Sequence, residues 1–595
     1  MTSEIALTLA IIVGALIVFG TDKLRVDIVA LLVLITVGLT GLVGPEEVFS
    51  GFSNSAVITV WAVYIVSGGL FKTGVADILG RFIFRLSGKN ETRLIVVIML
   101  TCGLMSAFMN NVGATAMLLP AVVSISKQTK IPVSKLLIPL SFSSLLGGKI
   151  TLIGTPANIL ATSIVAEHGL PTFSFFDFTP VGLIVLATGV LYMLFIGRHF
   201  LPVRQPPSDL HTQQEIRQSI RSVHVLPEGN LDGSNLLESK LGEIYDLTVI
   251  ALLRRQKPIR NLSRDTLILA KDVLLIEGSE ENLARAKREL GLTSTDERKH
   301  AELDKLSGDE MGIVETTLAP RSSAANQSIR SIKFRERYGF SVLAIRRHGK
   351  VITNGLRNME LEYGDDLILQ GPRRLKHALE KMNDFLVLEP LTIPESRRRR
   401  MPIAIGIMLL VIGLVLFAGI HISMAMVLGA LAMVLTKCLT MDEAYDSIDW
   451  RTVFLVAGML PLGTAMQTTG TASYIADRML GVFGGMGPMA TLAGIYLLAA
   501  LITQPMSNAS AMVLVVPIAL DTAASLGANH LTFTLAAIIG AATSFLTPVG
   551  HKANVLVFGP GGYKFFDYAR VGALLTVFLF AATMLTLPIF FPLFP

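Results

Sequence analysis

The sequence predicts an α-helical polytopic membrane protein of two inverted repeats, with re-entrant hairpins and a soluble α+β segment inserted between the halves. Three observations carry that expectation: the composition, the placement of charge, and an internal repeat with an offset near 396 residues. Of 595 residues, 51% are hydrophobic and 16% charged, and the mean hydropathy is +0.59. A soluble domain carries roughly 25% charged residues, so an ordinary soluble enzyme is excluded. Charge is concentrated: residues 203–396 hold 58 of the 96 Lys, Arg, Asp and Glu, leaving 38 for the other 401 positions. A soluble module between two membrane halves follows.

The first element is a retained span, because Met1-Thr2-Ser3-Glu4 runs straight into Ile5 to Phe19 with no basic segment or small-residue cleavage site. Further apolar runs lie near 26–43, 56–71, 136–166 and 180–201, with one from 94 to 126. The second half repeats the series near 402–418, 422–436, 452–466, 488–519, 531–559 and 571–593. With residue 1 outside, Lys23/Arg25, Arg81 to Arg93, Lys127 to Lys135, Arg198, Arg397 to Arg400, Lys437/Arg451 and Lys564/Arg570 all fall inside. That assigns 19 of the 22 basic residues outside the module to the cytoplasmic side, which sets the orientation. Each half then has five crossings plus one run that returns on its own side, so the halves are inverted. Both termini are external and residues 203–396 cytoplasmic, in a plasma (inner) membrane.

The halves share motifs. Thr73-Gly74-Val75-Ala76 parallels Thr469-Gly470-Thr471-Ala472, and Asn110-Asn111-Val112-Gly113-Ala114 through Pro120 parallels Ser507-Asn508-Ala509-Ser510-Ala511 through Pro517. Leu152-Ile153-Gly154-Thr155-Pro156-Ala157-Asn158 answers Phe545-Leu546-Thr547-Pro548-Val549-Gly550, with Asn554 shortly after; the Thr-Pro offset is 392. Each half therefore carries an Asn-centred break in a returning run and a Gly/Thr/Pro break in a crossing helix. Such breaks free backbone groups at membrane depth, which is tolerable where they line a buried site. Half-helix N-termini favour an anion, while carbonyl and amide oxygens ligate a hard cation, the chemistry of a cation-coupled anion carrier.

At these residues the chain resembles the divalent-anion:sodium symporter (citrate/sulfate-type permease) family, with its Asn-bearing hairpin tips and a Gly-Thr-Pro-type break in each half. The resemblance implies an elevator-type homodimer. It assigns the anion to Asn110, Asn111, Val112, Ser507, Asn508 and Ala509, with Thr155 and Thr547. One sodium ion would use Asn111 and Gly154, and a second Asn508 with the backbone of Pro548 to Gly550. Both tips lack the threonine hydroxyl typical of the family, which places a sulfate-like oxyanion ahead of a dicarboxylate.

The middle segment is itself a tandem. Tyr245-Asp246-Leu247-Thr248-Val249-Ile250-Ala251 answers Tyr338-Gly339-Phe340-Ser341-Val342-Leu343-Ala344, and Gly278 and Gly371 keep the offset of 93. Each copy ends in a strand (Asp272 to Gly278; Asp365 to Gly371) and an amphipathic helix (Glu280 to Leu290; Arg373 to Met382). This pair resembles the TrkA-C (RCK C-terminal) regulatory subdomain and implies a small-molecule effector. The boundaries expected are 1–202, 203–300, 301–396 and 397–595. No G-x-G-x-x-G follows a strand there, so nucleotide sensing through that motif has no support.

Single residues invite sharper readings. Lys149 and Lys552 adjoin the breaks, where an ammonium costs about 3 kcal/mol unless paired or hydrated. Lys552 is read as an anion contact or a stand-in for sodium, and snorkelling to the cytoplasmic interface is the bland alternative for both lysines. His551 could couple protons but suits a structural hydrogen bond better. Arg254/Arg255 and Arg346/Arg347 could hold a phosphate-bearing effector, or be solvated strand ends. Arg397 to Arg400 is a topogenic run, with no nucleic-acid partner implied. Cys102 and Cys438 lie in apolar runs without partners for a disulfide or a metal. The function expected is sodium-coupled import of a small divalent, sulfate-like anion, gated by the cytoplasmic module. A di- or tricarboxylate symporter or exchanger is the alternative, and an RCK-regulated cation transporter or channel, or a non-transporting anion sensor, the rival from another class.

Overall fold

The computed structural model describes residues 2–594 apart from 22–23, 76–77, 80–82, 84, 87, 89, 205–219, 228, 246, 256, 260–264, 278–279, 294–310, 319–321, 348–349, 354, 363–364, 373–378, 380–383, 388–394, 505 and 549. Lys23, Ala76, Arg81, Asp246, Gly278, Val549 and most of the stretch from Arg373 to Met382 thus lie outside the described residues. Two compact units form. One is Met1–Val203 with Pro390–Val557 and Lys564–Pro595; the other is Arg204–Glu389 with Phe558–Tyr563.

The first unit is helical. Its N-terminal half runs α1 (Ser3–Thr21), α2 (Val26–Leu39), α3 (Ser55–Lys72), α4 (Glu91–Ser106), α5 (Asn111–Thr129), α6 (Ser134–Gly147), α7 (Pro156–Glu167) and α8 (Thr179–Phe200). Its C-terminal half runs α9 (Met401–Phe417), α10 (Ile422–Leu435), α11 (Trp450–Thr468), α12 (Thr471–Phe483), α13 (Pro488–Ile502), α14 (Asn508–Leu526), α15 (His530–Ala541), α16 (Lys552–Phe558) and α17 (Phe565–Phe590). Among the described helices, α1, α3, α8, α14 and α17 are long and apolar enough to cross a bilayer. Exposed Ile17, Leu409, Phe417 and Leu585 leave an apolar outer surface, which hydrocarbon covers and water would not.

Packing repeats the internal symmetry. α2 lies along α11 and α3 along α10, so these helices exchange partners between halves, whereas α4 on α6 and α13 on α15 repeat within them. The four interrupted helices begin at polar caps that satisfy otherwise orphaned amides. Asn110 accepts from the Val112 amide at 2.8 Å and opens α5; Ser507 accepts from Ser510 at 3.3 Å and opens α14. Thr155 accepts from Asn158 at 3.4 Å ahead of Pro156, the first residue of α7. The His551 ring accepts from the Ala553 amide at 3.1 Å and opens α16. A helix the apolar pattern did not announce is α12, which leaves α11 at 69°. The turn passes through Gly470 at φ +73°, and its repeat mate Gly74 stands at φ +90°.

The second unit contains two antiparallel sheets of one topology. The first is built from β1 (Ile220–Val225), β2 (Thr248–Arg254), β3 (Lys257–Pro258), β4 (Val273–Glu277) and β5 (Leu292–Thr293), in the order β3-β2-β4-β1-β5. The second is built from β6 (Met311–Leu318), β7 (Ser341–Arg347), β8 (Lys350–Ile352), β9 (Asp366–Pro372) and β10 (Phe385–Val387), in the order β10-β6-β9-β7-β8. Thr248 pairs with Glu277 as Ser341 pairs with Gln370, and a bulge follows at Val249/Ala251 and again at Val342/Ala344. The expected helix Glu280–Leu290 follows β4. Leu253, Leu275, Leu343, Ala344 and Ile368 form a core shared by the two sheets.

Of the strand-end arginines, Arg255 is exposed, while Arg254, Arg346 and Arg347 are engaged by carboxylates of the module itself. Arg254 binds Asp272 through two nitrogens at 3.0 and 2.8 Å, and Arg347 binds Asp365 in the same way at 2.8 and 2.6 Å. The equivalent pair is thus Arg254 with Arg347, which keeps the module's offset of 93. Arg346 is committed to Glu315 at 3.3 Å and to Asp366 at 3.6 Å.

Burial pushes the Asp366 carboxyl up to about 6, against the nearby Arg346 and a 2.6 Å bond from the Thr317 hydroxyl. A carboxyl whose folded value exceeds its unfolded one destabilises the ionised fold, and this penalty is relieved as pH falls through the folded value. The wild-type unfolding temperature, relative to that of Asp366→Asn, should therefore rise as pH is lowered from about 7.5 to about 5. Thermal unfolding of the full chain at both pH values measures this difference.

Candidate functional site

The breaks are held open by one asparagine in each half. Asn158 Nδ2 donates to the carbonyls of Gly148 at 3.0 Å and Thr151 at 2.9 Å; Asn554 Nδ2 donates to Ser544 at 2.8 Å and Thr547 at 3.2 Å. Both asparagines are fully buried. These amides replace the helical N–H groups that the interrupted backbone no longer supplies. The matched bonds set the repeat offset at 396 here, so Thr151 corresponds to Thr547 and Thr155 to His551. The offset of 392 taken from the two Thr-Pro dipeptides is corrected accordingly: Pro156 starts α7, but α16 starts at Lys552, four residues after Pro548.

Each hairpin tip leans on the break of its own half. In the first half, Ser106 Oγ donates to Asn111 Oδ1 at 2.8 Å, and a Cβ on Gly148 would stand 2.3 Å from that same oxygen and 2.7 Å from Thr155 Cγ2. Asn111 and Thr155 therefore both pack on Gly148, and Gly154 packs on the Gly148 carbonyl. Thr155 Oγ1 donates to Asn158 Oδ1 at 2.9 Å. In the second half, Thr503 Oγ1 and Ser544 Oγ donate to Asn508 Oδ1 at 3.0 and 3.2 Å. Ser544 stands where the first half has Gly148. Thr547 Oγ1 accepts from the Gly550 amide at 3.0 Å, so Asn508, Ser544, Thr547 and Gly550 form the matching group.

These groups bring the N-termini of α5 and α7 together in one half and those of α14 and α16 together in the other. Positive helix ends beside neutral oxygen donors suit an anion with a hard monovalent cation alongside. Val112 and Ala509 contribute backbone at the tips, and Ala509 is buried. Among the described residues no hydrogen bond joins the two tip triplets, whereas one does join the two halves beside the breaks. Ser141 Oγ donates to Asn554 Oδ1 at 2.5 Å, and the rings of Phe142 and Phe545 meet edge-on with centroids 4.9 Å apart.

The two lysines fare differently. Lys552 Nζ is bonded to the carboxylate of Asp449, at the start of α11, and lies 3.4 Å from Thr452 Oγ1. Its charge is engaged by the protein rather than held at a tip. Asp449 escaped the sequence reading because it stands 103 residues from its partner. Beside it, the Tyr64 hydroxyl interacts with Thr452 and Asn110, and Tyr64 and Asn110 line a cavity of about 10 Å³ with Ile153 and Pro156. Lys149 does not snorkel. It is 2% exposed, and its Nζ stands 5.6 Å from the centre of the Phe545 ring.

Comparison with known proteins agrees with this architecture. The citrate transporter (CitMHS) family pattern matches residues 15–540. The chain is 36% identical over 589 residues to an uncharacterized transporter of Synechocystis sp., covering 98% of this chain and 96% of that one. It is 32% identical over 616 residues to an uncharacterized transporter of Escherichia coli, with both chains fully covered. It is 21% identical over 775 residues to sodium/sulfate cotransporter 1 of Chlamydomonas reinhardtii, covering 95% of this chain and 87% of that one. With two Asn-tipped hairpins, two broken helices and these relatives along its whole length, the chain belongs to the citrate transporter family and is a membrane transporter, not an enzyme.

Proposed function

We propose that the protein imports a small divalent oxyanion, with sulfate the first substrate to test, coupled to sodium across the plasma membrane. The observation that carries this reading is the pairing of each tip asparagine with the helix break of its own half. That pairing sets helix N-termini beside neutral oxygens at two places related by the repeat. The anion is assigned to Asn110, Asn111, Val112, Thr155, Ser507, Asn508, Ala509 and Thr547. Sodium is assigned to Asn111 with Gly154 and to Asn508 with the backbone at Pro548 and Gly550. A relative named as a sodium/sulfate cotransporter along nearly the whole chain supports both the ion and the anion. The dicarboxylate or tricarboxylate reading is the second, supported by the family's name. A homodimer working as an elevator, with residues 203–396 as a cytoplasmic TrkA-C-like regulator that binds a small effector, completes the proposal.

Labelled sulfate uptake into proteoliposomes, with and without an inward sodium gradient and with excess succinate, tests it. Saturable sodium-driven uptake indifferent to succinate is expected; blockade by succinate selects the carboxylate reading, and uptake equal to empty vesicles refutes both. Asn111→Ala or Asn508→Ala should each lower uptake at limiting sulfate by about 10-fold to 100-fold, the worth of one hydrogen bond to a charged ligand. Gly148→Ala should reduce uptake at least as strongly, because its Cβ would lie 2.3 Å from Asn111 Oδ1. Ser544→Ala, which deletes a donor without a clash, should be milder.

A further inference from the structure

Lys149 is the one lysine of the breaks whose ammonium the protein leaves uncompensated. Its Nζ is buried with no hydrogen-bond partner among the described residues, and Phe545 is the ring it faces. The repeat makes this placement specific. With the offset of 396 set by Asn158 and Asn554, Lys149 and Phe545 are the same position of the duplicated unit. Two glycines confirm the match: a Cβ on Gly182 would strike the Lys149 carbonyl at 2.4 Å, and one on Gly572 the Phe545 carbonyl at 2.1 Å. One copy thus carries a ring and the other a charge.

The two residues that precede them, Gly148 and Ser544, touch the tip asparagines Asn111 and Asn508. Lys149 is therefore one residue removed from the site on the first side and packed against the equivalent residue on the second. The tips and breaks otherwise present neutral donors, and the other lysine, Lys552, is already bound by Asp449. A lone ammonium held in a low-dielectric interior is strongly unfavourable until an anion pairs with it. The face of a ring compensates only about 1–2 kcal/mol of that penalty.

We propose that Lys149 is a resident counter-cation of the transport site, pairing with the transported anion and selecting for its second negative charge. The inference rests on the anion-transport reading above. In the empty carrier the ammonium is parked over Phe545; with anion bound, its four-carbon stem brings it to the ligand.

Thermal unfolding of the purified full chain, titrated with sulfate, with succinate or with monovalent methanesulfonate at fixed sodium and ionic strength, tests the inference. Lys149→Met keeps the apolar stem and removes the charge, and Lys149→Arg keeps the charge. The apparent sulfate Kd should rise about 10-fold or more in Lys149→Met and stay within about threefold of wild type in Lys149→Arg. The preference for sulfate over methanesulfonate should fall by a similar factor in Lys149→Met, which a merely structural brace would not produce. An unchanged preference in Lys149→Met overturns the inference while leaving the transport reading intact. If neither sulfate nor succinate stabilises the wild type, the transport reading fails and this inference fails with it. Should Lys149→Met not fold, Lys149→Gln is judged by the same preference.

Discussion

Two buried amides hold the candidate site open. A helix interrupted at membrane depth exposes carbonyls that lipid cannot satisfy, and each one left alone costs several kcal/mol. Asn158 and Asn554 each cover two of them, in the same geometry, and every other feature of the site builds on that closure. It lets α7 and α16 restart where they do. It also sets Gly148 and Ser544 against the tip asparagines, and so brings tip and break together.

The symmetry is strict in backbone and loose in side chain. Hydroxyls at Ser106 and Thr503 serve matching asparagine oxygens, while Gly148 and Ser544 meet the same atoms by close approach in one half and by a hydrogen bond in the other. Duplication supplies two equivalent frames, and substitution then makes them unequal. Lys149 opposite Phe545 is the largest such inequality, because it sets a charge against a hydrocarbon ring. In the second unit the frames stay closer: the same strand order, the same bulge and the same arginine–aspartate clasp occur in both copies.

Much of the architecture was legible because it depends on local signals. Apolar length marks spans, polar caps before apolar runs mark the starts at Asn111 and Asn508, and charge density marks the inserted segment. What escaped depends on contacts between distant residues or on backbone atoms. The break register rests on carbonyl acceptors, which every residue has, so the conspicuous Thr-Pro dipeptides misled by four positions. Asp449 could not be matched to Lys552, nor Asp272 to Arg254, without the fold. Burial of Lys149 and snorkelling of Lys149 are the same string of letters. α12 carries too many polar residues to look like a span, and only the positive φ at Gly470 turns the chain into it.

The bond from Ser141 to Asn554 joins residues 413 positions apart. The first break has its own asparagine from the start, but the Ser141 hydroxyl in the helix before it lacks this acceptor until nearly the whole polypeptide has been made. At roughly 5–20 residues per second, that is a wait of about 20–80 s with a hydroxyl and an apolar face unmatched in a bilayer-embedded half-protein. During that interval the face of Ser141 and Phe142 depends on the insertion machinery, or on lipid and water, for the cover that Asn554 and Phe545 later supply. A nonsense mutation late in the gene would thus leave behind a fragment with an open seam, a natural target for membrane quality control.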